Sequence, residues 1–221
     1  MIIAVDGPAG AGKSTVAKIL AKRLGLLYID TGAMYRALTF KALETGTDIN
    51  DEKAMEELAK GSVIDLNNGP EGLKVSIDGR DVTQAIREPR VSARVSDVAR
   101  IAGVRYVMAG LQRRLGHSHD SILDGRDIGT VVFPKADYKF FIDASPGERV
   151  NRRFKDFKDL KIDNVSREQV EKDLANRDKI DSTRACAPLK KADDAIYIDT
   201  TALGIDQVVD KMLSYIKKDR K

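Results

Sequence analysis

Nine consecutive residues, Gly7-Pro8-Ala9-Gly10-Ala11-Gly12-Lys13-Ser14-Thr15, fit the spacing G-x-x-x-x-G-K-[ST]. Glycine at positions 7 and 12 permits a turn tight enough to aim successive backbone N–H groups inward. Those groups, with a helix N-terminus behind them, make a nest for phosphate oxygens. Lys13 can then reach the terminal phosphates, and the Ser14 hydroxyl can ligate Mg²⁺.

Arginines supply a second set of phosphate-seeking groups: Arg36, Arg105, Arg126, Arg149 with Arg152, and Arg184. Their planar forks bind phosphate oxygens bidentately. Arg149 and Arg152 alone read as ordinary surface charge, because Arg153, Lys155 and Lys158 make that whole helix basic. Arg126 differs. It lies in Asp124-Gly125-Arg126-Asp127-Ile128-Gly129, directly after an apolar strand, where packing does not explain a glycine-flanked charged run. Asp124 ends that strand near the phosphate loop, placed to hold Mg²⁺ directly or through water, or else to serve as a turn or cap aspartate. His117 and His119 flank Ser118 with no cysteine or third histidine nearby, so no zinc site is read there.

The elements that must position these groups follow from periodicity. Ile2-Ile3-Ala4-Val5 is a buried strand, Val16, Ile19, Leu20 and Leu24 mark a helix, and Leu26-Leu27-Tyr28-Ile29 is the next strand. That strand–loop–helix–strand order opens a P-loop βαβ unit. A helix is predicted from about Thr31 to Thr45, closed by Gly46, with a shorter one capped by Asn50 or Asp51. Residues 62–83 switch to period two around Asn67-Asn68-Gly69-Pro70 and Asp78-Gly79, a small antiparallel meander. Helical patterns resume around Val91, Val95 and Val98, then Val104 to Leu115. Residues 121–124, 139–143 and 195–199 return to the sheet, with helices near 146–160 and 167–178 between the last two. The C-terminal helix turns Ile205, Val208, Val209, Met212 and Ile216 to one side.

A chain of 221 residues has room for one α/β domain with an insertion, or for two small domains. A formal charge of +4 over that length does not argue for nucleic acid and suits a polyanionic small ligand. The only cysteine, Cys186, sits between alanines as a small filler, and its solitude fits a reducing cytoplasm. No apolar stretch approaches membrane-spanning length, and Asp6 ends the N-terminal run too early for a signal peptide.

Taken together, the 3–15 segment, Asp30-Thr31-Gly32-Ala33-Met34-Tyr35-Arg36, Asp124 to Pro134, Arg177-Asp178 with Asp181 and Arg184, and Ala187-Pro188-Leu189 resemble the bacterial cytidylate (CMP) kinases of the long type. The resemblance runs essentially end to end. It implies an α/β P-loop kinase fold: a five-stranded parallel sheet flanked by helices, an inserted monophosphate-binding region with the meander, and a short lid. The implied bounds are 1–30, 111–148 and 166–221 for the core, 31–110 for the monophosphate-binding region and 149–165 for the lid. It implies transfer of the ATP γ-phosphoryl group to CMP or dCMP with Mg²⁺, by a cytoplasmic monomer without nucleic-acid or membrane partners. Carried over by position, Arg36 and Arg126 meet the CMP phosphate, Thr31 and Tyr35 belong to the substrate-binding set, and Ser96, Arg105 and Asp127 read the cytosine edge. Arg177, Asp181 and Arg184 lie near sugar and phosphates, Asp181 taking the pentose hydroxyl. Residues 7–15 with Arg149 and Arg152 or Arg153 face ATP, and Lys13, Arg126, Arg152 and Arg184 assist transfer.

The chemistry of the base agrees. Cytosine offers an amine donor beside acceptors N3 and O2, which an acceptor at Asp127 and donors at Arg105 and Ser96 complement. A mobile basic lid and a hinged acceptor region are expected, since an open site would lose phosphate to water. A kinase of UMP or of a small hydroxyl compound is the alternative enzyme, although the latter leaves Asp127, Arg105 and the large 31–110 region without a role. A guanine-nucleotide switch would need [NT]-K-x-D, which this chain lacks.

Overall fold

The computed structural model describes residues 1–69, 72–159 and 165–218. Residues 160–164 of the expected lid and Pro70 of the expected turn lie outside the described residues.

Alternation within short strands builds a two-faced sheet. β1 (Ile2–Asp6), β2 (Leu27–Asp30), β6 (Ser121–Asp124), β7 (Tyr138–Asp143) and β8 (Ile196–Asp199) pair in parallel in the order β2-β6-β1-β7-β8. Successive side chains on a strand point to opposite faces. Ile3, Val5, Tyr28 and Ile122 therefore join one core with α1 (Lys13–Leu24) and α8 (Ile205–Lys218). Ala4, Ile29 and Leu123 join the other, with α2 (Thr31–Thr45), α4 (Pro89–Arg100) and α5 (Ala102–Ser118). Gly25 and Gly46 end α1 and α2 in the left-handed conformation, as their types suggest.

The meander forms as a separate three-stranded sheet, β3 (Ile64–Gly69), β4 (Gly72–Ile77) and β5 (Arg80–Asp81). Its first strand runs further than the Asn-Asn-Gly signal suggests: Asn67 and Asn68 pair with Lys74 and Leu73, and Asn68 donates to the Tyr28 carbonyl at 2.8 Å. Ile64, Val75 and Ile77 sink into the core shared with α2 and the sheet. α3 (Glu52–Lys60) is capped by Asp51, which accepts from Ala54 N.

α6 (Pro146–Asp159) and α7 (Arg167–Thr183) pack around Ala9, Val150, Val170 and Leu174. Ser166 caps α7 by accepting from Gln169 N, and the helix continues five residues past position 178, carrying Asp181 on its last turn. Ile205, expected in the buried stripe of α8, is 51% exposed, because it opens the helix beside the cleft described next.

Candidate functional site

A cleft of about 730 Å³ opens at the C-terminal ends of the sheet strands, the side where open α/β sheets receive ligands. The phosphate loop forms one wall. Gly7 sits at φ +144°, and a Cβ there would lie 1.9 Å from the Ile142 carbonyl oxygen of β7. At Gly12 a Cβ would meet only the Arg152 guanidinium, at an ordinary 3.6 Å; its requirement is conformational, φ +89°. The loop folds back so that Lys13 Nζ donates to the Pro8 carbonyl at 2.6 Å. Burial, then the charge of Arg126, hold the Lys13 ammonium well below the usual lysine range, against the pull of Asp124 and Asp6. A buried lysine disfavoured in this way is suited to an anionic ligand, whose charge would favour its ammonium form.

Beside the lysine, Ser14 Oγ donates to Asp124 Oδ2 at 2.5 Å, and the Tyr28 hydroxyl donates to Asp124 Oδ1 at 3.0 Å. Burial, then Asp30, raise the Asp124 carboxyl above its ordinary range. A hydroxyl and a carboxylate are hard oxygen ligands of the kind Mg²⁺ takes, so the donor set fits that cation. Among the described residues no group of three or more His, Cys, Asp or Glu forms a complete metal cage.

The opposite wall is built from paired and unpaired guanidiniums. Asp30 caps α2 through Ala33 N and accepts from Arg36 Nη2 at 3.2 Å. Arg105 Nη2 donates to Asp127 Oδ2 at 2.6 Å, with both side chains buried and the Tyr35 ring 5.5 Å from the guanidinium. Arg184 Nη2 lies 3.6 Å from the other Asp127 oxygen. Arg184 Nε donates to the carbonyl of Ala187, a non-glycine residue at φ +49°. Arg126 Nε donates to Asp181 at 2.9 Å. Burial raises the Asp181 carboxyl, but Arg126, Arg177 and Arg184 outweigh it and hold the group below its ordinary range. Burial, then Arg126, push Arg177 down to about 9. Arg105 Nε, Arg177 Nε and Arg184 Nη2 are buried with no hydrogen-bond partner among the described residues. Such groups are costly to leave unmet, so the wall is suited to anionic and acceptor-rich ligands.

The candidate site residues read from the sequence line this cleft, with three exceptions, Gly7, Pro8 and Arg149. Arg149, read with the ATP-facing arginines, turns inward instead: it donates to the Ala144 and Ala9 carbonyls and pairs with Asp178. It braces the loop from behind, because the Arg149 face of α6 packs onto residue 9. Arg152 stays at the cleft, tied to Glu148, the Ala11 carbonyl and Thr200. Arg153 lies over the Phe157 ring at 4.6 Å. His117 packs edge-on to Phe133, ring centroids 5.1 Å apart. Cys186 is a free, half-buried cysteine.

Two contributors were not singled out in the sequence. Tyr28 reads as a strand residue until its hydroxyl is seen on Asp124. Asp6 accepts from Ile128 N at 2.9 Å and Gly129 N at 2.7 Å. The one available signal was a carboxylate ending a wholly apolar strand. Burial outweighs those two hydrogen bonds and pushes Asp6 from 3.8 up to about 6. The folded chain thus binds this proton more tightly than the unfolded chain. Asp6 should therefore make stability fall as pH rises from about 4 to 6, by up to ~3 kcal/mol. Urea unfolding across that range should show a shallower pH slope for Asp6→Asn than for the parent; parallel slopes would refute this.

Comparison with known proteins places these features in context. The family profile described as cytidylate kinase matches residues 3–218. The chain is 52% identical to the cytidylate kinase of Bacillus licheniformis over 99% of this chain and 96% of that protein. It is 50% identical to the cytidylate kinase of Clostridioides difficile over 98% of each. A solved shikimate kinase from Bacteroides thetaiotaomicron shares the fold, with TM-score 0.50, 11% identity and 98% of each chain covered.

Proposed function

The chain belongs to the cytidylate kinase family, and on that premise we propose how its cleft performs the transfer. It is a nucleoside monophosphate kinase, moving the γ-phosphoryl group of ATP to CMP or dCMP. The observation that carries the base assignment is the buried Arg105–Asp127 pair at 2.6 Å on the wall facing the phosphate loop. Asp127 accepts from the cytosine amine, while Arg105 and Ser96 donate to its acceptors. Uracil presents a carbonyl where cytosine has the amine, so two acceptors would face each other. Each such mismatch costs about 1–3 kcal/mol, which gives roughly tenfold to hundredfold preference.

The acceptor phosphate lies between Arg36 and Arg126, and the pentose hydroxyl meets Asp181. The ATP phosphates occupy the nest of residues 7–15. Ser14 and Asp124 would hold Mg²⁺, which when bound would supply positive charge against the donor's phosphates. Lys13, Arg126, Arg152 and Arg184 hold the moving phosphoryl group in line and offset the charge that spreads over its oxygens. The acceptor is already ionised at neutral pH, so no side chain has to remove a proton. Residues 31–110 bind the monophosphate, and 149–165 close over the donor.

Assay of the purified protein with ATP–Mg²⁺ against a panel of monophosphates tests this reading. CMP and dCMP should be turned over best and UMP weakly. Preference for UMP or AMP would overturn the assignment of Asp127.

A further inference from the structure

We infer that Asp6 is a specificity-positioning residue: from the end of β1 it holds the backbone that carries Asp127, and so sets the choice between cytosine and uracil.

Residues 128–132 form a single π-type turn directly after Asp127. Such turns are rare and need outside support. Asp127 begins it at φ −146°, ψ 23°, and its carbonyl accepts from Val131 N at 2.9 Å and Val132 N at 3.2 Å. The first two N–H groups of the turn have no acceptor of their own within it. Asp6 supplies both, one carboxylate oxygen to Ile128 and the other to Gly129, at 2.9 and 2.7 Å. It caps the turn from a strand 122 residues away in sequence. Gly129 makes the approach possible: a Cβ there would come 3.4 Å from Asp6 Oδ2 and 3.1 Å from Lys139 Cδ.

The consequence reaches the base through one residue. Asp127 keeps its side chain on Arg105 at 2.6 Å only while its own backbone is fixed at the mouth of this turn. Two donors need two acceptors, and only a carboxylate presents both. Asparagine offers one acceptor and turns an amine toward the other N–H, which forces the contact apart. The next residue after Asp6 is Gly7, so the same strand end begins the phosphate loop and pins the base-reading segment. Gly7 is itself held by its close approach to β7, so loss of the Asp6 contact falls on the acceptor side.

The inference rests on the reading of Asp127 as the cytosine acceptor, and the test separates the two. Asp6→Asn and Gly129→Ala approach the same contact from its two ends. For each, kcat/KM is measured with CMP and with UMP at saturating ATP–Mg²⁺, together with KM for ATP and the melting temperature. The CMP-to-UMP preference is expected to fall about tenfold, through KM for CMP, with KM for ATP changed less than about twofold. An equal loss with both monophosphates would mean that Asp6 is merely structural, and would overturn the inference. If Asp6→Asn fails to fold, Gly129→Ala decides by the same ratio. Asp127→Asn is measured alongside. A lost preference there but an intact one in the other two variants defeats the role of Asp6 alone. An intact preference in Asp127→Asn defeats the reading of the base pocket itself.

Discussion

Replacing Lys13 with alanine is expected to slow phosphorylation of CMP by roughly three orders of magnitude while leaving the protein folded. The side chain is buried in the cleft wall, where a fixed positive group acts on developing charge with little screening by water. Its ammonium is also costly to the resting protein, since burial and Arg126 both work against its proton. Truncation removes that cost along with the hydrogen bond to the Pro8 carbonyl. The variant should therefore melt no lower than the parent by more than a few degrees. Steady-state kcat at saturating ATP and CMP, set beside a thermal melt, checks both halves. Parent-like turnover would remove the phosphate loop from the reaction altogether.

Arg126→Ala should be comparably severe, roughly 10³–10⁴-fold in kcat. Arg126 stands between the two nucleotides' phosphates in the proposed arrangement, and its Nε is already oriented by Asp181 at 2.9 Å. The fork is thus aimed before substrate arrives, which is what makes its removal expensive. The fold should survive, because Asp181 keeps Arg184 at 3.4 Å and the nearby charge of Arg177. Single-turnover measurement with CMP separates the chemical step from product release. Near-normal turnover would make Arg126 only a partner that holds Asp181 in place. Arg126→Lys should recover part of the rate, since it restores charge without the planar fork.

The reach of the sequence was uneven for identifiable physical reasons. The phosphate loop was legible because its glycine positions are themselves the geometry: one abuts a neighbouring strand and the other opens a helix at positive φ. α2 was legible to the residue because Asp30 and Gly46 punctuate it at both ends. The strand order was not, since β2 and β1 both pair with β6 across about a hundred intervening residues, and periodicity carries no partner information. The end of α7 was read short because no breaker stands between 178 and 183, and the first proline after it is Pro188. Arg149, Arg152 and Arg153 could not be told apart, because a uniformly basic helix hides which face meets the loop. Asp6 and Tyr28 were passed over because their partners lie 122 and 96 positions away.

The apolar layer beneath residues 31–110 belongs to two parts of the chain at once. Ala4, Ile29, Leu123 and Ile128 from the central scaffold interlock with Met55, Ile64, Val75 and Val91 from the 31–110 stretch. A chimera that exchanged this stretch for the counterpart of a smaller kinase would leave voids against those four residues and strand their methyl groups in water. Successful grafts must therefore transplant both halves of the layer, and a library randomised at only one half will return mostly aggregates.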